Sequence, residues 1–156
     1  MVDVAGRRFS RIHHVAVVVR DLDAALRMYR DTLGLALELV LPIEQDGVTI
    51  AFLGVGGSKV ELVMPTDPTT GVARFLESKG EGFHHVCVET PDVDATLADL
   101  IERDVEVIDR SARRGAEGPV AFLHPRASNG MLVELIEAPG GPAWTRLGYD
   151  EAPPQA

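Results

Sequence analysis

The sequence predicts an α+β fold made of two tandem β-α-β-β-β modules, because one pattern of residues occurs twice along the chain. Residues 13–26 read HHVAVVVRDLDAAL and residues 84–97 read HHVCVETPDVDATL, and eight of these fourteen positions are identical. The tripeptides AFL and VEL follow in both copies, at 51–53 and 60–62 and again at 121–123 and 133–135. Landmarks repeated in the same order indicate a duplicated half-domain, and two copies are too few for a solenoid.

The repeat and the composition divide the chain into four segments. We expect a first module over 10–67, a connecting helix and linker over 68–82, a second module over 83–138, and an irregular tail over 139–156. The tail is rich in Pro and Gly, and Trp144 is its candidate for docking against the rest of the chain.

Each module opens with a strand that leads into a helix. The β-branched run at 12–19 predicts the first strand, and Asp21 and Asp23 supply cap oxygens and favourable charge for a helix that ends at Gly34. The remaining strands of the first module are expected at about 36–41, 48–53 and 59–64. The second module predicts strands at 84–90, 105–109, 119–123 and 131–137, a helix from Asp92 to about Arg103, and a short connecting helix before it at 72–80.

Composition and charge exclude several classes of protein. Apolar residues make up 46% of the 156 residues and charged residues 25%, which is typical of a globular chain and not of a disordered one. The formal net charge of −9 disfavours nonspecific nucleic-acid binding. No apolar run approaches the ~18 residues of a membrane span, and the start lacks the apolar stretch of a secretory signal. Cys87 is the only cysteine, so we expect a reducing, cytoplasmic location.

Strand alternation predicts which side chains share a face. In each module the helix must cover the valines of the opening strand, at 15, 17 and 19 and at 86 and 88. His14 and His85 then point to the opposite face. In the closing strands the apolar residues of VEL belong to the helix side, so Glu61 and Glu134 also point away. His13 and His84 fall on the helix side and are expected to be structural.

Two imidazoles and two carboxylates at equivalent places in both copies form a donor set suited to a divalent metal ion. A single strand histidine is more often a satisfied or exposed residue than a ligand, and a single strand glutamate is usually solvated. The duplication favours the metal site, because random surface polarity would not place the same pair on the same face twice.

Three stretches carry a family resemblance: IHHVAVVVRDLDAALRMYRDTLGL, FLGVGGSKVELVMPTDPTTGVARFLESKGEGFHHVCVE and FLHPRASNGMLVELIEAP. Over about residues 11–139 the chain resembles the methylmalonyl-CoA epimerase family of the vicinal oxygen chelate superfamily. The resemblance implies a half-open barrel-like sheet around a metal site with His14, Glu61, His85 and Glu134 as ligands. It implies a divalent ion (cobalt, zinc, nickel, manganese or iron), a small-molecule acyl-CoA substrate and, by analogy of fold, a homodimer. The net charge and the short apolar runs give no reason to expect a nucleic-acid or membrane partner.

The implied reaction interconverts (R)- and (S)-methylmalonyl-CoA by removing the C2 proton through a metal-stabilised enolate. Inversion needs one group that takes a proton and another that returns one to the opposite face. Glu134 is the candidate for one of them. Some family members have a catalytic Glu on the third strand where this chain has Ile50, so the second carboxylate is Glu61 or, alternatively, Glu44 from the loop.

Other functions compete with the epimerase. A glyoxalase I-like lyase or another metalloenzyme of the superfamily would share the ligands, whereas a non-catalytic small-molecule binding protein would need none of them. The sequence leaves open the native metal and the choice between methylmalonyl-CoA and ethylmalonyl-CoA.

Overall fold

The computed structural model describes residues 8–149, which divide into two compact units. The first unit is His14–His85, and the second unit combines residues 8–13 with residues 86–149. Across the described residues there are eight strands and four α-helices, which confirms the predicted α+β class. No helix in this part of the chain is long and apolar enough to cross a membrane.

Four strands follow the order β2-β3-β4-β1 in the first unit. They are β1 (Ile12–Val18, which enters this unit at His14), β2 (Ala36–Ile43), β3 (Val48–Val55) and β4 (Ser58–Pro65). The pairs β2-β3 and β3-β4 are antiparallel, whereas β1 pairs with β4 in parallel. The parallel pairing brings the opening and the closing strand of the module side by side.

The helical segment that follows β1 covers one face of these strands. Helix α1 is Leu22–Leu26, and its predicted cap is confirmed because Asp21 Oδ1 accepts a hydrogen bond from the backbone N–H of Ala24 at 2.9 Å. Leu22 and Leu26 of α1 form a buried cluster with Val19, Ala51, Leu53 and Leu62, and Val17 and Val60 pack against it. The helix side of the strands is therefore the one that alternation predicts.

The predicted helix changes geometry after α1. Arg27–Thr32 is π-helical, and the N–H of Leu33 donates to the carbonyl of Met28 at 2.9 Å. Apolar spacing predicts a helix but does not distinguish this wider winding from an α-helix. Gly34 follows with a φ of 76°, a left-handed conformation that glycine adopts at little cost, and ends the segment as expected.

The connecting helix between the repeats is α2, Gly71–Lys79. The hydroxyl of Thr70 accepts from the N–H of Ala73 at 3.1 Å and caps its start. The chain leaves α2 at Gly80, where φ is 79°. The position agrees with the helix predicted at 72–80.

In the second unit the strand order is β5-β8-β7-β6. The strands are β5 (Gly82–Thr90, which enters this unit at Val86), β6 (Arg113–Arg114), β7 (Pro119–Leu123) and β8 (Leu132–Glu137). Helix α3, Val93–Glu102, begins after Asp92, whose side chain accepts from the N–H of Ala95. Its apolar side packs on a buried cluster that includes Val93, Leu97, Ala121 and Leu135, so this helix covers the face predicted for it.

The prediction of a strand at 105–109 is wrong. Only an isolated bridge between Val107 and Leu123 forms there. Asp109 Oδ2 accepts a hydrogen bond from the backbone N–H of Phe122 at 2.8 Å. In a regular ladder that N–H would donate to a backbone carbonyl of the neighbouring strand. A carboxylate in that place ends the pairing, and the two-residue strand β6 pairs with β7 instead.

The tail is more ordered than its composition suggests. A short helix α4, Pro142–Arg146, forms where an irregular segment was expected. Trp144 lies within this helix and is buried, as expected if it docks against the rest of the chain. Residues 150–156 of the predicted tail lie outside the described residues.

The carboxylate of Glu137 holds this tail in place. It is 1% exposed, and it accepts from the N–H groups of Val93 (2.9 Å), Ala143 (2.7 Å) and Trp144 (3.2 Å). These donors belong to the first turns of α3 and α4, where backbone N–H groups lack partners within the helix and favour negative charge. A methyl group at Gly141 would come within 2.4 Å of Glu137 Oε1, so the approach requires glycine.

Replacing Glu137 with Ala should lower the free energy of unfolding by about 3 kcal/mol, because three buried N–H groups would lose a charged acceptor. Urea denaturation followed by circular dichroism measures the change. Glu102→Ala, at an exposed position of α3, is the matched control and should change stability by less than about 0.5 kcal/mol. Equal effects of the two substitutions would contradict the structural importance of Glu137.

Candidate metal centre

His14, Glu61 and His85 lie together within the first unit. The Nε2 atoms of the two histidines are 3.2 Å apart. Glu61 Oε2 lies 3.3 Å from His14 Nε2 and 3.5 Å from His85 Nε2. Three of the four predicted ligands therefore point their donor atoms at one place.

The pairing of β1 with β4 explains how His14 and Glu61 meet. In this parallel ladder Ala16 lies beside Glu61 and His14 beside Lys59. Side chains at 14 and 16 share one face, as do those at 59 and 61, while Val17 and Leu62 turn toward the helix-side core. The face opposite the helix is the one predicted for His14 and Glu61.

All three side chains are buried, with exposed fractions of 3% for His14, 7% for Glu61 and 5% for His85. Burying polar groups is costly unless each finds a partner. Here two imidazole nitrogens and a carboxylate oxygen face one another away from bulk water. A bound cation would stabilise this arrangement.

The spacing of the donor atoms fits a first-row divalent ion. Two donor atoms held about 2.1 Å from one ion at the tetrahedral angle are about 3.4 Å apart. The three distances here run from 3.2 to 3.5 Å. Imidazole nitrogen and carboxylate oxygen donors bind zinc, nickel, cobalt, iron and manganese. The residues present therefore fit a divalent ion but do not select one of these metals.

Phe52 packs against His14, and Lys59 in turn lies over the Phe52 ring. The Phe52 ring meets the His14 ring edge to face at a centroid distance of 5.2 Å. Lys59 Nζ stands 5.5 Å from the centroid of the same Phe52 ring and forms an ion pair with Glu38 Oε2 at 2.7 Å. Phe52 is apolar and so carries no ligand signal in the sequence, although the repeated AFL tripeptide marks its position in both modules.

Glu134 lies in the second unit, on β8, and is 7% exposed. Glu134 occupies the same place in its ladder as Glu61 does in the first unit. Phe122 pairs with Glu134, and Phe52 pairs with Glu61. Its neighbours Val133 and Leu135 belong to the helix-side core of that unit. The AFL and VEL landmarks are thus paired strands in both units, with the glutamate opposite the phenylalanine.

Positions 50 and 44, the other candidates for an acid or base, do not offer a buried carboxylate. Ile50 is 1% exposed and lies on the same face of β3 as Phe52, so that position offers no proton-transfer group. Glu44 lies in a 3₁₀ turn, Glu44–Asp46, and is exposed to solvent. Of the three positions 44, 50 and 61, only 61 places a buried carboxylate beside the histidines of the first unit.

His13 is buried with the second unit, and its Nε2 lies 3.5 Å from Glu117 Oε2. His84 lies in the first unit and contacts His85 directly.

Comparison with known proteins identifies the family of the chain. The sequence profile of the Glyoxalase/Bleomycin resistance protein/Dioxygenase superfamily matches residues 13–122. The chain is 39% identical over 133 residues to the mitochondrial methylmalonyl-CoA epimerase of Mus musculus, which covers 84% of this chain and 75% of that protein. It is 40% identical over 129 residues to the ethylmalonyl-CoA/methylmalonyl-CoA epimerase of Cereibacter sphaeroides, which covers 81% of this chain and 96% of that protein.

Solved structures show the same similarity. A methylmalonyl-CoA epimerase in complex with methylmalonyl-CoA and NH4+ superimposes with a TM-score of 0.81 at 35% identity, covering 85% of this chain and 96% of that one. Profile, sequence and structure agree over most of the chain. The chain belongs to the methylmalonyl-CoA epimerase family of the Glyoxalase/Bleomycin resistance protein/Dioxygenase superfamily.

Proposed function

We propose that this chain is a divalent-metal-dependent epimerase that interconverts (R)- and (S)-methylmalonyl-CoA. The observation that carries the proposal is the buried convergence of His14, Glu61 and His85 in a chain of the epimerase family. The fold alone does not establish an activity, because one fold serves many functions. A buried set of metal-binding donor atoms supports a particular chemistry.

The substrate explains why such a site is needed. The C2 proton of methylmalonyl-CoA lies between a thioester and a carboxylate, and its removal places negative charge on an enolate oxygen. A divalent metal, when bound, supplies a Lewis acid that stabilises this charge. The residues of the chain must then hold the ion, exclude water and move the proton.

We assign four ligands: His14, Glu61, His85 and Glu134. The first three are supported by their donor distances in the first unit. Glu134 is supported by its burial and by the register with Phe122, which reproduces that of Glu61 with Phe52. A duplicated module that supplies one His and one Glu from each copy accounts for the whole set.

Glu61 and Glu134 are also the proposed acid and base. Glu61 is preferred to Glu44 because it is buried beside the histidines, whereas Glu44 lies in an exposed turn. Ile50 is apolar, so it leaves the task to other carboxylates. A carboxylate oxygen bound to a metal is a weak base, and we therefore assign proton transfer to the oxygen of each glutamate that does not bind the ion.

We also propose a preferred substrate, a location and an oligomeric state. Methylmalonyl-CoA is preferred, and ethylmalonyl-CoA is the alternative suggested by the Cereibacter sphaeroides relative. A cytoplasmic location is supported by the single buried free thiol, Cys87. A homodimer is expected by analogy of fold, and light scattering during gel filtration measures it.

Removing the metal should abolish catalysis of C2 exchange, and adding it back should restore it. The purified protein is treated with a chelator, then titrated with cobalt or zinc, while deuterium incorporation at C2 of methylmalonyl-CoA in D₂O is followed by mass spectrometry. Full exchange by the metal-free protein would contradict the proposal. The hemithioacetal of methylglyoxal and glutathione, tested in parallel, should not be converted; its turnover would favour the glyoxalase I-like alternative.

Replacing either proposed acid or base should separate exchange from inversion. Glu134→Gln and Glu61→Gln should each lower the rate of inversion by about 10²-fold or more, since one proton-transfer group is lost. Each variant should still exchange the C2 proton of one epimer, and the two variants should retain opposite epimers.

Glu44→Gln is the matched control for these variants and should leave inversion unchanged. The metal content of every variant is measured alongside. Full turnover by Glu134→Gln with metal bound would refute its assignment, and loss of inversion in Glu44→Gln alone would transfer the second function from Glu61 to Glu44.

A further inference from the structure

A second histidine contacts the proposed ligand His85 through the ring nitrogen that faces away from the other donors. His84 Nδ1 lies 2.8 Å from His85 Nδ1, a hydrogen-bonding distance. The two rings meet edge to face, with centroids 5.1 Å apart and an interplanar angle of 75°. His84 was expected to be merely structural, because alternation places neighbouring strand residues on opposite faces. The contact forms because Nδ1 is the ring nitrogen closest to the backbone, where adjacent side chains can still meet.

Helix α2 also contacts the His84 ring. Phe75 packs edge to face against His84 at a centroid distance of 5.0 Å and an interplanar angle of 79°. Lys79, one helical turn further, places its Nζ 5.6 Å from the centroid of the Phe75 ring. The connecting helix is therefore linked through Phe75 and His84 to His85.

The positions of the nitrogens determine which one carries the proton. His85 Nε2 faces His14 Nε2 and Glu61 Oε2, so Nε2 must present its lone pair when a metal is bound there. The proton of a neutral His85 then lies on Nδ1, which donates to His84 Nδ1. His84 must accept at Nδ1 and carry its own proton on Nε2.

We propose that His84 is a positioning residue that fixes the tautomer and the ring orientation of His85 for metal binding. The inference rests on the proposed function, because it concerns the same ion. Metal-binding histidines commonly donate their second ring N–H to a carboxylate, a carbonyl or water, and loss of such a partner typically weakens metal affinity 10- to 100-fold. Here a second imidazole is that partner, and Phe75 restricts its movement.

Two substitutions distinguish the hydrogen bond from simple packing. His84→Phe keeps an aromatic ring against Phe75 but has no acceptor, whereas His84→Asn places a carbonyl oxygen close to the position of Nδ1. We expect His84→Phe to weaken zinc affinity 10- to 100-fold and His84→Asn to stay within about threefold of the wild type. Affinity is measured by competition with a chromophoric chelator, and thermal unfolding of the metal-free proteins monitors folding.

His124→Phe is the matched control, since His124 accepts a backbone hydrogen bond from Arg126 in the second unit and should not change zinc affinity. If the wild type binds zinc and His84→Phe binds it equally tightly, the inference fails while the proposed function stands. If His84→Asn loses as much affinity as His84→Phe, the hydrogen bond is not the cause and the inference also fails. A wild-type chain that binds no metal overturns both.

A measurement on the wild-type protein avoids any dependence on variants. Long-range ¹H–¹⁵N correlation spectra of the zinc-loaded protein report which ring nitrogens carry protons. His85 is expected to be protonated at Nδ1 and His84 at Nε2. A proton on His84 Nδ1 would overturn the assigned direction of the hydrogen bond.

Discussion

The parallel pairing of β1 with β4 is the constraint on which the proposed site depends. It places Ala16 beside Glu61, so that an imidazole from the first strand of the module and a carboxylate from its last strand share one face. The other face is committed to the helix, where Val17, Val60 and Leu62 are packed. One ladder thus satisfies two demands: a dry apolar core on one side and a polar cluster on the other.

Buried carboxylates in this protein serve two different purposes. Glu61 and Glu137 are both nearly inaccessible to solvent, and each lies on the closing strand of its module. Glu137 is surrounded by backbone N–H groups at the starts of two helices, which satisfy its charge without a metal ion. Glu61 faces two imidazole nitrogens, which are neutral when they act as ligands and leave the charge to be balanced by a cation. The partners, and not the burial, separate a structural carboxylate from a candidate ligand.

The two modules have diverged where the site does not constrain them. Both retain the helix cap, by Asp21 and by Asp92, and both pair AFL with VEL so that a phenylalanine lies opposite a glutamate. The strand that begins the hairpin of the first module, β2, has no regular counterpart at 105–109, where Asp109 interrupts the ladder. The helix starts and the strands that carry the His and Glu residues are the elements that match.

The duplication, the order of most strands and helices, and the faces on which His14 and Glu61 lie can all be predicted from the sequence. These properties follow from local periodicity, since side chains alternate along a strand and recur every three to four residues along a helix. Three contacts could not be predicted in this way: two helix starts hold Glu137, Asp109 ends a ladder, and His84 meets His85. Such contacts depend on where distant backbone groups lie and on which ring nitrogen faces a neighbour, and neither is encoded in the spacing of residue types.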